Sequence, residues 1–313
     1  MKVLITGGAG FIGSTLADQL VGRGDEVLVI DNLTTGRRDN LPSSPRLRFI
    51  EGSIVDAETV NRAFNEFGPD RVVHAAASYK DPTNWVADAE TNVLGTVNVV
   101  KAALQKSVSR FIYFQTSLCY GLHPRKQPIT LDHPIDPHAS SYAISKTAAE
   151  QYIMLSGLDF ISFRLANAYG PRNLSGPLPT FFHRLSQQKS VHVADSRRDF
   201  IFVHDLISIV LKALQGQGHK GIYHVSSGKD FTIKELFDAV VKAMGISLDK
   251  DVEIRPRNPD DAYTILLDSQ KTNEDFGWQS TTLLEAGVRE AVEWYRQHGV
   301  TETFTHLHLD NKV

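Results

Sequence analysis

Thr6-Gly7-Gly8-Ala9-Gly10-Phe11-Ile12-Gly13 decides how this chain is read. Val3-Leu4-Ile5 before it is a short apolar run suited to a buried strand, and Phe11–Gly22 after it has helical apolar spacing. Glycines at such a junction allow a tight turn, let backbone N–H groups approach a pyrophosphate, and pack the helix close to the strand. The helix N-terminus adds a partial positive charge facing the phosphates. Gly7, Gly10, Phe11, Ile12 and Gly13 are thus candidate dinucleotide contacts. The next strand runs into Asp31, whose carboxylate can accept hydrogen bonds from both adenosine ribose hydroxyls and would repel a 2′-phosphate. NAD is therefore expected over NADP, with Arg37 and Arg38 as the opposing signal, since arginines there could hold a 2′-phosphate.

Outward from this junction, short apolar runs alternate with helical stretches. Strands are expected at Val3–Thr6, Glu26–Ile30, Arg48–Ile50, Arg71–His74, Arg110–Phe114 and Asp159–Phe163, and helices at Phe11–Gly22, Ala57–Phe67, Asn84–Lys106 and Ser140–Ser156. Strand–helix alternation with short polar connections indicates a parallel sheet covered on both faces. After Arg164 the pattern loosens, with helices expected at Phe181–Gln188, His204–Leu214, Ile233–Met244 and Leu283–His298. The expected class is α/β: a Rossmann-type, doubly wound parallel sheet with a smaller, mostly C-terminal substrate-binding lobe. Residues 1–165 would form the nucleotide-binding domain, with a stretch near 190–225 returning to it, and residues 166–313 mainly the lobe.

The 313 residues are 42% hydrophobic and 22% charged, with a formal net charge of −3. That balance argues against nucleic acid or an anionic membrane as main partner. A single cysteine, Cys119, rules out an internal disulfide framework. Met1-Lys2-Val3-Leu4-Ile5 is too short for a signal-peptide core, and no apolar run approaches a membrane span. A soluble, cytoplasmic protein is expected.

Tyr142-Ala143-Ile144-Ser145-Lys146 puts a tyrosine and a lysine four apart, on one face of a helix. Free tyrosine, with a pKa of about 10, is a poor base at neutral pH. A nearby ammonium and a positive nicotinamide ring stabilise phenolate; reaching a pKa of about 7 takes about 4 kcal/mol. Phenolate can then take a hydroxyl proton as hydride leaves for the nicotinamide. No other tyrosine in the chain has a lysine four positions on.

Together these stretches resemble an extended short-chain dehydrogenase/reductase of the sugar-nucleotide epimerase/dehydratase type, most similar to UDP-glucose 4-epimerases and related enzymes of bacterial surface-polysaccharide synthesis. The resemblance runs through Thr6–Gly13, Asp31-Asn32-Leu33, His74-Ala75-Ala76-Ala77, Asn92–Thr96, Thr116–Gly121, Tyr142–Lys146, Arg164–Arg172, Arg198–Val203 and Phe276-Gly277-Trp278. It implies cofactor contacts from Asn32, Ser53, Ile54, Ala75, Ala76 and Lys80, the last near the nicotinamide ribose. Thr116, with Ser117 beside it, would hold the substrate's reacting oxygen and help pass its proton to Tyr142. Asn167 would contact the nucleotide diphosphate of a UDP-sugar, and Arg198 and Arg257 would clamp it. Family dehydratases and decarboxylases place an acid after the equivalent of Thr116; here Ser117-Leu118 follows, which favours epimerisation. Three departures stand out. Ser53 replaces the usual Asp near the adenine, Val193–Arg197 lacks a glycine-rich turn, and Arg257–Asp261 is one residue longer than the usual Arg-Pro-Gly-Asp-like segment.

The expected activity is NAD-dependent nucleotide-sugar 4-epimerisation. Its rivals are a net dehydrogenase or ketoreductase that exchanges its cofactor, and a non-enzymatic NAD or sugar-nucleotide sensor. The Asn84–Lys106 and Ser140–Ser156 helices suggest a homodimer, as in family members. No metal is expected: His74 lacks metal-spaced partners, and His306 and His308 read as surface residues. Cys119 reads as a packed side chain, with His123 too weak a partner for a nucleophile. Trp85, Trp278 and Trp294 read as helix-packing residues.

Overall fold

The computed structural model describes residues 1–304. Its first half alternates strand and helix: β1 Lys2–Thr6, α1 Phe11–Gly22, β2 Glu26–Asp31, β3 Leu47–Glu51, α2 Ala57–Phe67 and β4 Arg71–His74. After α3 Trp85–Asp88 and α4 Thr96–Gln105 come β5 Arg110–Thr116, α5 Ser141–Leu155 and β6 Phe160–Leu165. Later elements are β7 Asn167–Tyr169, α6 Pro177–Ser186, β8 His192–Ala194, β9 Arg197–Phe202, α7 Val203–Leu214 and β10 Gly221–Val225. They end with β11 Asp230–Thr232, α8 Ile233–Met244, β12 Glu253–Arg255, α9 Gln270–Phe276 and α10 Leu284–His298.

Seven strands form one sheet in the order β10-β6-β5-β4-β1-β2-β3, every pair parallel. The strand period of two explains why helices cover both faces. Val3, Ile5, Val27 and Val29 join Leu16, Ala17 and Leu20 of α1 and Leu206 and Val210 of α7 in one core. Leu4, Leu28 and Ile30 join Val60 and Phe64 of α2, Val99 and Ala103 of α4 and Ile153 of α5 in the other. The chain builds β1-β2-β3 outward, then returns to lay β4 on the other side of β1. That reversal opens a crevice at the strands' carboxyl ends, where open α/β sheets bind ligands. Two small sheets, β11-β9-β7 and β12-β8, complete the strands. Among the described residues no helix is long and apolar enough to cross a membrane.

The expected long helix over Asn84–Lys106 is interrupted. Between α3 and α4, Ala89–Gly95 is a π-helical turn. Asn92 explains its position: its amide donates to Ser78 O (3.1 Å) and Ser145 Oγ (2.9 Å), and its Oδ1 accepts from Ser78 N (2.8 Å). These tertiary bonds pull the turn toward the β4 loop and α5, a use of π segments common at functional sites. Helix α6 begins earlier than expected, at Pro177, because proline suits a first helical turn whose N–H would have no partner.

Candidate functional site

Gly7 turns the chain at φ +67°, and a Cβ there would lie 2.5 Å from Ala76 N. At Gly13 a Cβ would lie 2.4 Å from Gly7 O, so α1 packs directly on the turn. Helix α1 starts after Gly10 with no side-chain cap and no acid in its first turn. Its first N–H groups and positive end therefore suit an anionic ligand, and the missing Cβ atoms leave the backbone approachable. Ala75 and Ala76 lie against this turn, with Ala75 N donating to Thr6 O at 3.0 Å.

Asp31 ends β2, mostly buried. Its Oδ2 accepts from Ala9 N (2.9 Å) and its Oδ1 from Leu33 N (2.8 Å), while desolvation raises its pKa against those bonds. Both arginines that could have welcomed a 2′-phosphate are engaged. Arg37 forks onto Asp39 at 2.9 and 2.5 Å, and the Arg38 guanidinium lies 4.6 Å from the centre of the Phe49 ring. Asn32 is exposed and accepts from Thr34 N at 3.2 Å. Ser53 accepts from Val55 N at 3.2 Å ahead of α2, and Ile54 packs on Gly95.

On the other side of the crevice, α5 carries Tyr142 and Lys146. Ser140 caps the helix by accepting from Ala143 N at 3.3 Å. The backbone oxygen of Lys146 accepts from Tyr113 Oη and Gln115 Nε2, both at 3.0 Å, which fixes α5 on β5. Lys146 Nζ stands 4.0 Å from the centre of the Tyr113 ring. Tyr79 meets Tyr142 edge-on, with ring centres 6.4 Å apart. Thr116 closes β5 and uses its hydroxyl to accept from Leu118 N at 3.1 Å, and Ser117 beside it is buried. Thr116 thus ends the strand to which the helix carrying Tyr142 and Lys146 is fastened.

Electrostatics at this corner run opposite to a ready-made phenolate. Burial, helped by Tyr79 and Asp88, pushes the Tyr142 pKa up, and burial pushes Lys146 down to about 7 despite the nearby Glu150 carboxylate. Burial shifts each group towards its neutral form because a charge there loses its water. Ionising Tyr142 at neutral pH therefore needs a further cation beside the phenol. Asp88, 1% exposed, sits near Ser78 and Ser141 with its own pKa raised by burial, and nothing in its sequence context marked it.

The expected substrate contacts lie on β7, on β9 and beyond β12. Asn167 donates to Asp199 O at 3.3 Å. Arg198 donates to Ala262 O at 2.9 Å and pairs with Asp261, a partner 63 residues away that no local pattern reveals. Arg257, over the Tyr263 ring, lines a cavity of about 650 Å³ with His123, Asp195, Asn258 and Asp261. Lys80 is half-exposed, paired with Glu302 at 3.3 Å and 4.6 Å from the centre of the Phe304 ring. The segment after α10 thus reaches the loop after β4.

The remaining candidates have structural surroundings. His74 lies between the hydroxyls of Thr6 (2.6 Å) and Thr96 (2.8 Å), and burial pushes it down to about 3. Burial pushes the Cys119 thiol up to about 12. Trp278 donates to Ser208 Oγ at 2.7 Å and Trp294 stacks on His298, whereas Trp85, expected to pack helices, is instead 69% exposed at the start of α3. Among the described residues no group of three or more His, Cys, Asp or Glu could hold a metal; His306 and His308 lie outside those residues.

Comparison with known proteins agrees with this geometry. The chain superposes on the Bordetella bronchiseptica enzyme WbmH, solved with NAD+, at a TM-score of 0.92 and 54% identity over 96% of this chain and 99% of that one. WbmG of the same organism, solved with NAD and UDP, gives 0.90 and 44% over 98% of each chain. A UDP-glucose 4-epimerase of Mycolicibacterium smegmatis is 32% identical over 95% of this chain and 99% of its own. A dTDP-glucose 4,6-dehydratase of Streptomyces niveus is 31% identical over 95% and 94%, so likeness by itself does not choose between reactions. Residues 3–226 match the NAD dependent epimerase/dehydratase family, and the chain belongs to that family.

Proposed function

We propose that this protein is an NAD-dependent nucleotide-sugar 4-epimerase. The observation that carries the choice among family reactions is Ser117-Leu118 after Thr116: a buried hydroxyl and an aliphatic side chain occupy the place where elimination or decarboxylation calls for an acid. Gly7–Gly13 and the start of α1 would hold the pyrophosphate, Asp31 and Asn32 the adenosine ribose, Ser53 and Ile54 the adenine side, and Ala75, Ala76 and Lys80 the nicotinamide half. When bound, NAD supplies the oxidation of the sugar's C4 carbinol and the matching reduction of the 4-keto sugar on its other face. Tyr142 Oη takes the C4 hydroxyl proton and returns it, Thr116 Oγ1 orients that oxygen with Ser117 beside it, and the Lys146 ammonium stabilises phenolate. Asn167, Arg198 and Arg257 hold the diphosphate, where a guanidinium fork suits phosphate oxygens. The UDP bound by WbmG supports a UDP-sugar.

The same reading divides the chain at about residue 165 into cofactor and substrate parts, with a stretch near 190–225 returning to the cofactor part, places it in the cytoplasm and makes it a homodimer. For the dimer, Trp85, Val86, Leu94, Ile144 and Leu155 are exposed on the α3–α4 and α5 rods. The test is product analysis: UDP-glucose, UDP-galactose and their N-acetyl forms, incubated without added cofactor. Conversion between C4 epimers supports the reading, whereas a 4-keto-6-deoxy sugar or release of carbon dioxide replaces it with dehydration or decarboxylation.

A further inference from the structure

One helical turn beyond Lys146, and two beyond Tyr142, α5 buries a carboxylate. Glu150 is 0% exposed. Its Oε1 accepts from Ser162 Oγ (2.6 Å) and Arg164 Nε (3.3 Å), and its Oε2 accepts from Arg164 Nη2 at 2.7 Å. The same guanidinium donates to Tyr120 Oη (2.7 Å), which lies 2.6 Å from His224 Nε2, and His224 Nδ1 lies 2.8 Å from Asp268 O. A carbonyl can only accept, so Nδ1 carries the histidine proton and Nε2 accepts from Tyr120. Every donor in this chain is directed, and the network ends at Glu150 with a paired carboxylate.

We propose that Glu150 is a positioning residue for the Tyr142–Lys146 pair, biasing the pair towards phenolate with ammonium when it gives up a proton. Losing one proton from this pair yields either phenolate with ammonium or phenol with amine. These two states have the same net charge, so only the local field separates them. Glu150 is four residues from Lys146 and eight from Tyr142 along one helix. At about 6 Å and about 12 Å, and an effective dielectric of about 20, its charge favours phenolate with ammonium roughly tenfold. Arg164 tempers that factor from the far side of Glu150.

The other groups facing the pair do not supply this bias. Tyr113 of β5 presents its ring to Lys146, and His74 of β4 is held neutral by burial. Tyr79 and Asp88 bear on Tyr142 and oppose phenolate. Cys119, Tyr120 and His224 are neutral near pH 7, with the first two pushed up to about 12 and His224 down to about 4. Glu150 is the charge on the lysine side.

This inference rests on the proposed base role of Tyr142, and its test separates the two. The NAD-loaded protein is titrated with pH while tyrosinate absorbance is recorded against Tyr142→Phe, a readout that needs no turnover. Glu150→Gln should lower the Tyr142 tyrosinate amplitude at the first ionisation by up to about tenfold, with kcat falling in proportion and substrate KM nearly unchanged. Glu150→Asp should keep most of both. Because Glu150→Gln leaves a buried arginine unpaired, the double variant Glu150→Gln, Arg164→Met is measured beside it and should show a smaller loss in the same direction, since the opposing arginine charge goes with the carboxylate. Folded, NAD-loaded variants with wild-type tyrosinate amplitude and pH profile would show that Glu150 only fastens α5 to β6, overturning the inference alone. No Tyr142 tyrosinate signal in the wild type would overturn the base role and the inference together.

Discussion

Replacing Gly13 by alanine sets two effects of known size against each other. Within a helix, alanine is preferred to glycine by about 1 kcal/mol. Here the new methyl would stand 2.4 Å from Gly7 O and 2.7 Å from Gly8 Cα, both backbone atoms of the glycine turn. Ordinary contact is about 1 Å longer, so α1 or the turn must shift, and overpacking of this kind costs about 1–3 kcal/mol. The net expectation is a destabilisation of up to about 2 kcal/mol, with NAD affinity reduced because α1 moves off the cradle. Gly22, at the other end of α1, is the internal control, since a Cβ there meets nothing within 4 Å. Gly22→Ala should therefore gain up to about 1 kcal/mol with NAD binding unchanged. Denaturant midpoints and NAD titration calorimetry on both variants give the comparison. Equal stabilisation of both, with equal NAD affinity, would refute the claim that close packing of α1 on the glycine turn shapes the cofactor cradle.

Further outcomes follow from the same geometry. Asp31→Ser with Asp39→Asn removes the ribose acid and frees Arg37, so NADP should bind where the wild type selects NAD, read by fluorescence titration with both reduced cofactors. Lys146 has a folded pKa of about 7 against 10.5 in the unfolded chain, so between these values the unfolded state holds more protons and the cost of burying the ammonium shrinks as pH rises. Cofactor-free Lys146→Met should therefore be more stable than the wild type at and below pH 7, an advantage that fades towards pH 10.5 in unfolding curves. The proposed homodimer predicts that Ile144→Glu, on the exposed face of α5, gives a monomer by light scattering without unfolding the protein. Arg198→Ala should raise substrate KM more than it lowers kcat in steady-state assays, because a diphosphate clamp acts on ground and transition states alike.

What could be read in advance was what short-range chemistry determines. The glycine junction, the acid ending β2 and the tyrosine–lysine spacing each lie within a few residues, and their neighbours are set by one strand or one helix. The inner strands β1, β2, β4, β5 and β6 showed as apolar runs because both faces of the sheet are covered there. By contrast β7, β11 and β12 have three residues each, too few for any period to appear. The π turn at Ala89–Gly95 depends on Asn92 reaching Ser78 and Ser145, and the Arg198–Asp261 pair depends on a long loop returning. Two features were local and still passed over. Asp39 stands two residues after Arg37 and neutralises it, and Glu150 continues the Tyr142–Lys146 face by one more turn.

Most direct for the central claim is incubation of the purified protein, with no cofactor added, in the presence of one UDP-hexose at a time, followed by identification of the sugar and of the nucleotide released on denaturation. The account predicts NAD in the released fraction and a mixture of C4 epimers reached from either side, with no net change in reduced nicotinamide, all lost in Tyr142→Phe. Stoichiometric formation of reduced nicotinamide, or undiminished epimerisation by Tyr142→Phe, would contradict it.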